Sequence, residues 1–235
     1  MPQWMQQLQP LQRSFLDMVF RPPCPLCDRT AQQRFCLSCA RQIQRCQRPD
    51  PNRYWQGSLP LFAWGHYGGV LKQAIATLKY DNYPELAEPL GQWAGQTWRQ
   101  AGLTTSRLVV LPIPMYREKQ KQRGFNQAEL LAQSFCQITR LPLKANGLVR
   151  IRATEAQFDL SVKERQKNLA GAMQVAPPAR TQLKGKRILL FDDIYTTGAT
   201  ARAAAAALQQ AELQVVGIVA IAAPSQVNGS SHGCK

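Results

Sequence analysis

Thirteen consecutive residues of this 235-residue chain carry its densest chemical pattern: Ile188-Leu189-Leu190-Phe191-Asp192-Asp193-Ile194-Tyr195-Thr196-Thr197-Gly198-Ala199-Thr200. Four apolar residues read as a buried strand with two carboxylates at its C-terminal end. A loop of small residues follows, and then a helix begins. Open parallel sheets bind ligands beyond the carboxyl ends of their strands. Small residues let backbone N–H groups approach a phosphate, and a new helix's dipole favours the anion. The hydroxyls of Thr196, Thr197 and Thr200 can donate further hydrogen bonds. Two acids beside an anion site are costly unless they hold hydroxyls or a metal. The ribose hydroxyls of a sugar phosphate meet that need. The bland alternative is an acidic turn between a strand and a helix. No Gly-Lys-Ser/Thr ending is present, so this is not a Walker loop.

The second pattern is Cys24-x2-Cys27 followed by Cys36-x2-Cys39. Four thiolates at this spacing match a closed, structural zinc site. The alternative is four reduced thiols without metal. Cys46 alone does not complete a second site. Cys136 falls on the apolar face of an expected helix and reads as core. Cys234 lies close to the end of the sequence. His66 and His232 are too isolated to suggest catalysis.

The third signal is charge. Net charge is +15, with 29 Lys and Arg against 14 Asp and Glu. Between Arg99 and Arg187 there are 17 basic and 5 acidic residues. Such an excess favours polyanions: nucleic acid, nucleotides or an anionic surface. Arg117, Lys119, Lys121 and Arg123 are expected in a charged loop, Met115 to Gly124, after a strand. A second anion, pyrophosphate or a DNA phosphate, would be held there; a solvated loop is the alternative. Lys79 ends an expected helix and could simply offset its dipole.

These residues need elements to position them. Trp4, Leu8, Leu11, Phe15 and Val19 suggest an amphipathic helix, stopped by Pro22 and Pro23. Arg48 to Pro60 reads as a polar linker. Strands are expected at Leu61–Tyr67, Arg107–Ile113, Leu148–Ile151, Arg187–Phe191 and Leu213–Ala222. Helices are expected at Val70–Lys79, Pro84–Ala101, Phe125–Ile138, Ser161–Ala170 and Gly198–Ala211. Strands alternating with helices argue for an α/β fold, a parallel sheet covered on both faces.

The segment 188–200 closely resembles the binding motif of the type I phosphoribosyltransferases. That resemblance implies Asp192 and Asp193 on the ribose 2′- and 3′-hydroxyls, as the acids of any chemistry, and Thr196, Thr197, Gly198, Ala199 and Thr200 around the 5′-phosphate. Magnesium would accompany phosphoribosyl pyrophosphate. Other segments narrow the family: Leu78-Lys79-Tyr80, Pro112-Ile113-Pro114, Arg123-Gly124-Phe125-Asn126-Gln127-Ala128, Arg150-Ile151-Arg152-Ala153-Thr154, then Gln157, Arg165 and Asn168. With the cysteines and the phosphate loop, they resemble the ComF/GntX family of competence-associated proteins over nearly the whole chain. The resemblance implies a type I phosphoribosyltransferase-like parallel sheet flanked by helices, with a small N-terminal zinc-binding element. It implies handling of single-stranded DNA in natural transformation, beside other competence proteins.

The expected organisation is an N-terminal helix and four-cysteine element over 1–53, a phosphoribosyltransferase-like domain over 54–226 and a tail over 227–235. Met1 to Gln12 lacks a secretory pattern, and no stretch reaches transmembrane length, so a cytoplasmic protein without membrane insertion is expected. Three functions stay open. One is a DNA-transformation protein binding single-stranded DNA and a phosphoribosyl ligand. Another is a phosphoribosyltransferase using magnesium and an unassigned acceptor. The last is a non-catalytic interaction module whose site is a relic.

Overall fold

The computed structural model describes residues 22–103, 106–153 and 171–225. The expected helix through Trp4 and Val19, the helix Ser161–Ala170, the segment's Gln157, Arg165 and Asn168, and Cys234 all lie outside the described residues, as does the tail 227–235.

In chain order the elements are α1 (Leu37–Arg45), β1 (Leu61–His66), α2 (Gly69–Tyr80), a 3-10 turn (Pro84–Leu86), α3 (Ala87–Gln100), β2 (Leu108–Pro112), α4 (Arg117–Arg123), α5 (Gln127–Thr139), β3 (Leu148–Arg150), β4 (Met173–Val175), α6 (Pro177–Leu183), β5 (Arg187–Ile194), α7 (Ala199–Gln210) and β6 (Gln214–Ala223). Four strands form one parallel sheet in the order β1-β6-β5-β2. Strands β3 and β4 form a separate antiparallel pair.

The apolar runs that announced these strands are buried on both sides, as parallel strands covered by helices must be. Alternate residues face opposite ways. Phe62, Trp64, Leu189, Phe191, Val219 and Ile221 join one core with α2, α3 and α5. Leu61, Ala63, Ile188, Leu190, Ile218 and Ala220 join the other with α6 and α7. Helices α3 and α5 approach closely because Gly91 and Gly95 carry no side chain: a Cβ at Gly91 would lie 2.5 Å from the Leu131 carbonyl oxygen.

Four expectations change. Met115 to Gly124 is not a loop: Arg117–Arg123 is helix α4. It ends at Gly124, whose φ of 87° suits glycine. The stretch Arg48 to Pro60 is not a loose linker. Arg48 is buried, and its guanidinium donates to the Ala223 and Pro224 carbonyls at 3.1 and 2.6 Å. Trp55 packs edge-on against Trp98 at 5.3 Å. Strand β5 runs three residues further than its apolar run, so both acids lie within it. Finally, α1, β4 and α6 appear where no element was expected; all are short, and α1 buries only Cys39 and Ile43 among polar neighbours.

Candidate functional site

The carboxyl ends of β5 and β6 meet α2 and α4 around the two acids. Side-chain alternation sends Asp193 to the same face as Phe191 and Leu189, where α2 packs. There Asp193, only 4% exposed, forms an ion pair with Lys79 from the last turn of α2. Lys79 is thus more than a dipole-balancing charge. Burial disfavours its ammonium, but Asp193, and then Asp192, outweigh burial and raise its pKa. Burial also disfavours the Asp193 carboxylate; Lys79 and the surrounding hydrogen bonds outweigh it and hold its pKa below the ordinary value. Asp192 goes the other way. Desolvation and the neighbouring Asp193 charge push its carboxyl well above the usual range. Its Oδ1 accepts from the Asp193 backbone N–H at 2.8 Å. The two acids therefore divide into a committed, ionised partner of Lys79 and a reluctant acid free to gain from a new donor.

Beyond β5 the loop Thr196–Thr200 turns into α7. Gly198 sits at φ 74°, the left-handed region, and stands just before the first residue of that helix. The Ala199 N–H donates to the Thr197 hydroxyl at 3.4 Å. The Tyr195 ring and hydroxyl lie against Gly198, so a side chain there would collide with them. The recess lined by Asp192, Tyr195 and Thr196 to Ala201 measures about 10 Å³. Tyr195 closes this recess beside Gly198.

A larger cleft of about 580 Å³ opens on the α2 and α4 side, lined by Lys79, Tyr80, Asn82, Lys119, Lys121, Gln122, Arg123 and Gly124. Three of the four basic residues singled out in the sequence line it; Arg117, at the exposed start of α4, does not. Cations crowd here: the Lys119 pKa is lowered by burial first, then by Arg123, Arg150 and Lys79. Arg150 loses to burial as well, while the Asp192 charge draws its pKa back. A cluster of positive charge that represses its own ionisation favours a bound anion.

The Arg-Gly-Phe-Asn-Gln run now has a physical reading. Gly124 stops α4. Asn126, 7% exposed, caps α5 by accepting from the Ala128 N–H at 3.1 Å while its amide donates to the Ile113 carbonyl at 3.0 Å. The turn is tied to the end of β2 and aims Arg123 across the cleft. Arg123 donates to Gln127 Oε1 at 2.6 Å and lies 5.4 Å from the Tyr80 ring centroid.

At the N-terminal end, the Sγ atoms of Cys24, Cys27, Cys36 and Cys39 lie within 4.8 Å of one another. A tetrahedron of zinc–sulfur bonds of about 2.3 Å needs sulfurs roughly 3.8 Å apart. Cys36 is the N-cap of α1, and its Sγ accepts from the Cys39 N–H at 3.4 Å. That backbone bond leads a set of hydrogen bonds that lower its pKa to about 7. Burial and the adjacent thiols push Cys39 far up instead. Four converging thiols that cannot all ionise alone fit a divalent cation, and the cluster is able to hold one. Cys46 is buried beside it, its thiol 3.5 Å from the Gln42 carbonyl. Cys136 is core, as expected, and burial raises its pKa to about 12.

Sequence reasoning missed the role of Lys79 and gave Arg150 none. A lysine closing an amphipathic helix looks like any solvated lysine; only the sheet brings it to Asp193, 114 positions later in the numbering.

Comparison with known proteins shows the family. The model of the phosphoribosyl transferase domain family matches residues 80–231. Three curated relatives are similar along most of the chain. "Competence protein F" of Haemophilus influenzae is 28% identical over 176 residues, 71% of this chain and 74% of its own length. "DNA utilization protein YhgH" of Escherichia coli K12 is 29% identical over 180 residues, 75% of this chain and 73% of its own. "Competence protein ComFC" of Bacillus subtilis is 27% identical over 197 residues, 83% and 75%.

Proposed function

Since the chain belongs to the phosphoribosyl transferase domain family, and its relatives bear out the resemblance to ComF, we propose that it serves DNA utilization in competence by binding single-stranded DNA and a phosphoribosyl pyrophosphate-like ligand. One observation carries this reading. The acid pair, fixed by Lys79, stands between a helix-terminal loop on one side and a cationic cleft on the other. A ligand with hydroxyls in its middle and phosphate at both ends suits that order. Thr196 to Thr200 would take the 5′-phosphate, Asp192 and Asp193 the ribose hydroxyls, and Lys119, Lys121 and Arg123 the pyrophosphate or a DNA phosphate, with Arg117 adding a peripheral charge.

Zinc at Cys24, Cys27, Cys36 and Cys39 would be structural, because four thiolates leave no open position. For magnesium the fit is partial. Asp193 is committed to Lys79, so Asp192 is the one acid of the pair able to turn toward a cation, and the ligand's own phosphates would supply most of the oxygens. When bound, magnesium would neutralise pyrophosphate. The chain's own residues would bind and orient the sugar, with Asp193 held ionised by Lys79 and Asp192 exchanging hydrogen bonds with the ribose hydroxyls. The intact acid pair supports a second reading, transfer of the phosphoribosyl group to an acceptor. Among the described residues no helix is long and apolar enough to cross a membrane. That, with reduced thiols, supports action in the cytoplasm.

The test is direct binding. Calorimetry should detect phosphoribosyl pyrophosphate with magnesium, and fluorescence anisotropy should detect single-stranded DNA. DNA affinity should fall with salt, and Lys119→Gln, Lys121→Gln and Arg123→Gln together should flatten the log–log slope by about 2. Failure to bind either ligand leaves the interaction-module reading standing in place of this one.

A further inference from the structure

The residues after α2 carry something the sugar-phosphate reading does not use. Tyr80 is 66% exposed at the mouth of the basic cleft, and Tyr83, one turn later, is 36% exposed. Leaving a large aromatic surface in water forgoes the gain of burial, so two such rings on one short turn call for an explanation. Between them Asn82 holds a positive φ of 59° and also lines the cleft. Asn tolerates that backbone, and it sends the chain sharply from α2 toward the 3-10 turn at Pro84. The 580 Å³ cleft beside these residues is within the usual size of a ligand site, about 300–1,000 Å³.

We propose that the Tyr80–Asn82–Tyr83 turn is a base-stacking platform, on which Tyr80 takes one base of a single strand whose phosphates run along Lys119, Lys121 and Arg123. The inference rests on the DNA-binding reading above and names the residues that meet the bases. Three observations combine. The ring is exposed. Arg123 already lies over it, 5.4 Å from its centroid, as a guanidinium does when it completes a stack. The cleft's lysines and arginine provide the positive track that a stacking platform needs, since stacking is sequence-tolerant and the backbone supplies the remaining affinity. Asn82 offers an amide that could reach a base edge. A double helix would gain nothing from Tyr80, because its bases are already stacked.

The experiment is a cycle between the ring and the base. Wild type, Tyr80→Ala and Tyr80→Phe are each titrated with oligo-dT of roughly 16 nucleotides and with an abasic strand of equal length, at two salt concentrations. Tyr80 is exposed, so each variant should fold as wild type does, and circular dichroism checks this. Wild type should prefer the oligo-dT by roughly 5- to 100-fold. Tyr80→Ala should erase that preference, and Tyr80→Phe should keep it. The salt slope should be the same in all three, because the ring neutralises no phosphate. A slope that falls in Tyr80→Ala would mean the ring acts only by holding Arg123, and it would overturn the stacking role. So would a preference that survives in Tyr80→Ala, or wild type binding both strands equally; DNA binding would then stand without stacking. If wild type binds neither strand, the DNA reading fails and this inference fails with it.

Discussion

The cysteine cluster and the proposed sugar-phosphate site are built in opposite ways. The cluster takes its four thiols from sixteen consecutive positions, Cys24 to Cys39, and two of them bracket the first turn of α1. The sugar-phosphate site draws Lys79 from α2, Lys119 and Arg123 from α4, Arg150 from β3 and two acids from β5. The first is a local knot; the second exists only when the sheet is closed. Yet they share a core, since Cys24, Phe35 and Ile43 belong to the same buried cluster as Trp64, Leu78 and Phe191. Phe35 stacks on Trp93 at 6.1 Å, and Trp93 on Trp64 at 6.0 Å. A local element can therefore govern a distant site through packing alone, because α1 lies against α2 and α2 carries Lys79.

The largest effect should come from the metal. Structural zinc binding is worth about 10–16 kcal/mol in zinc-finger peptides. Purified protein should contain about one zinc per chain, and Cys36→Ser should lose it. Thermal unfolding and near-ultraviolet circular dichroism should then show damage reaching the Trp64–Trp93 stack. If the metal leaves and that signal does not change, the two regions are energetically separate.

Next comes the buried ion pair. Lys79→Met strands a charged Asp193 that is 4% exposed, and breaking such a pair by removing one partner costs about 3–5 kcal/mol. Urea unfolding should show most of that loss, while Lys79→Met with Asp193→Leu should regain much of it. Full loss in the double variant would assign the cost to packing.

The acids themselves should matter for ligand more than for fold. Asp192→Asn with Asp193→Asn should lose roughly 2–4 kcal/mol of phosphoribosyl pyrophosphate binding, read by calorimetry on folded protein. Gly198→Val should abolish it, since valine resists a φ of 74° and its branches would strike Tyr195. Equal binding by these variants would move the site elsewhere.

The smallest effect is a pH dependence, and it separates the two acids by sign. Asp193 has a lowered pKa, so its contribution to stability is present above 3.8 and is lost as pH falls through its folded value. Asp192 has a raised pKa, so its ionisation works against folding as pH rises through that raised value. Relative to wild type, Asp192→Asn should gain stability with rising pH, at no more than about 1.4 kcal/mol per pH unit. Urea unfolding between pH 4 and 8, read as the difference between the two proteins, checks it. A flat difference would mean both acids ionise alike.

The contrast also explains what the sequence could convey. The four cysteines were readable because metal spacing is a local code. The segment 188–200 was readable because strand, acids, loop and helix start follow one another along the chain. Lys79 was not, since its partner lies in another strand and its own surroundings look like a solvated helix end. Helix α4 was hidden because Arg117 to Arg123 has no buried residue, so no apolar period marks it. Arg48 was missed because bonding the Ala223 and Pro224 carbonyls at the end of β6 has no signature among polar neighbours.

The strand order has a consequence for biosynthesis. Strand β6, made last of the four, lies between β1, made first, and β5. Until β6 inserts, β1 has no neighbour in the sheet. At a ribosome's pace of about 5–20 residues per second, the roughly 150 residues from β1 to β6 take about 8–30 s to make. During that interval the four thiols can already close on a metal, while the apolar edge of β1 waits unpaired and prone to association. The end of the cysteine element already reaches β1, since the His66 N–H donates to the Cys46 carbonyl and the Arg48 N–H to that of Trp64, and these bonds would hold the nascent strand until its partner arrives.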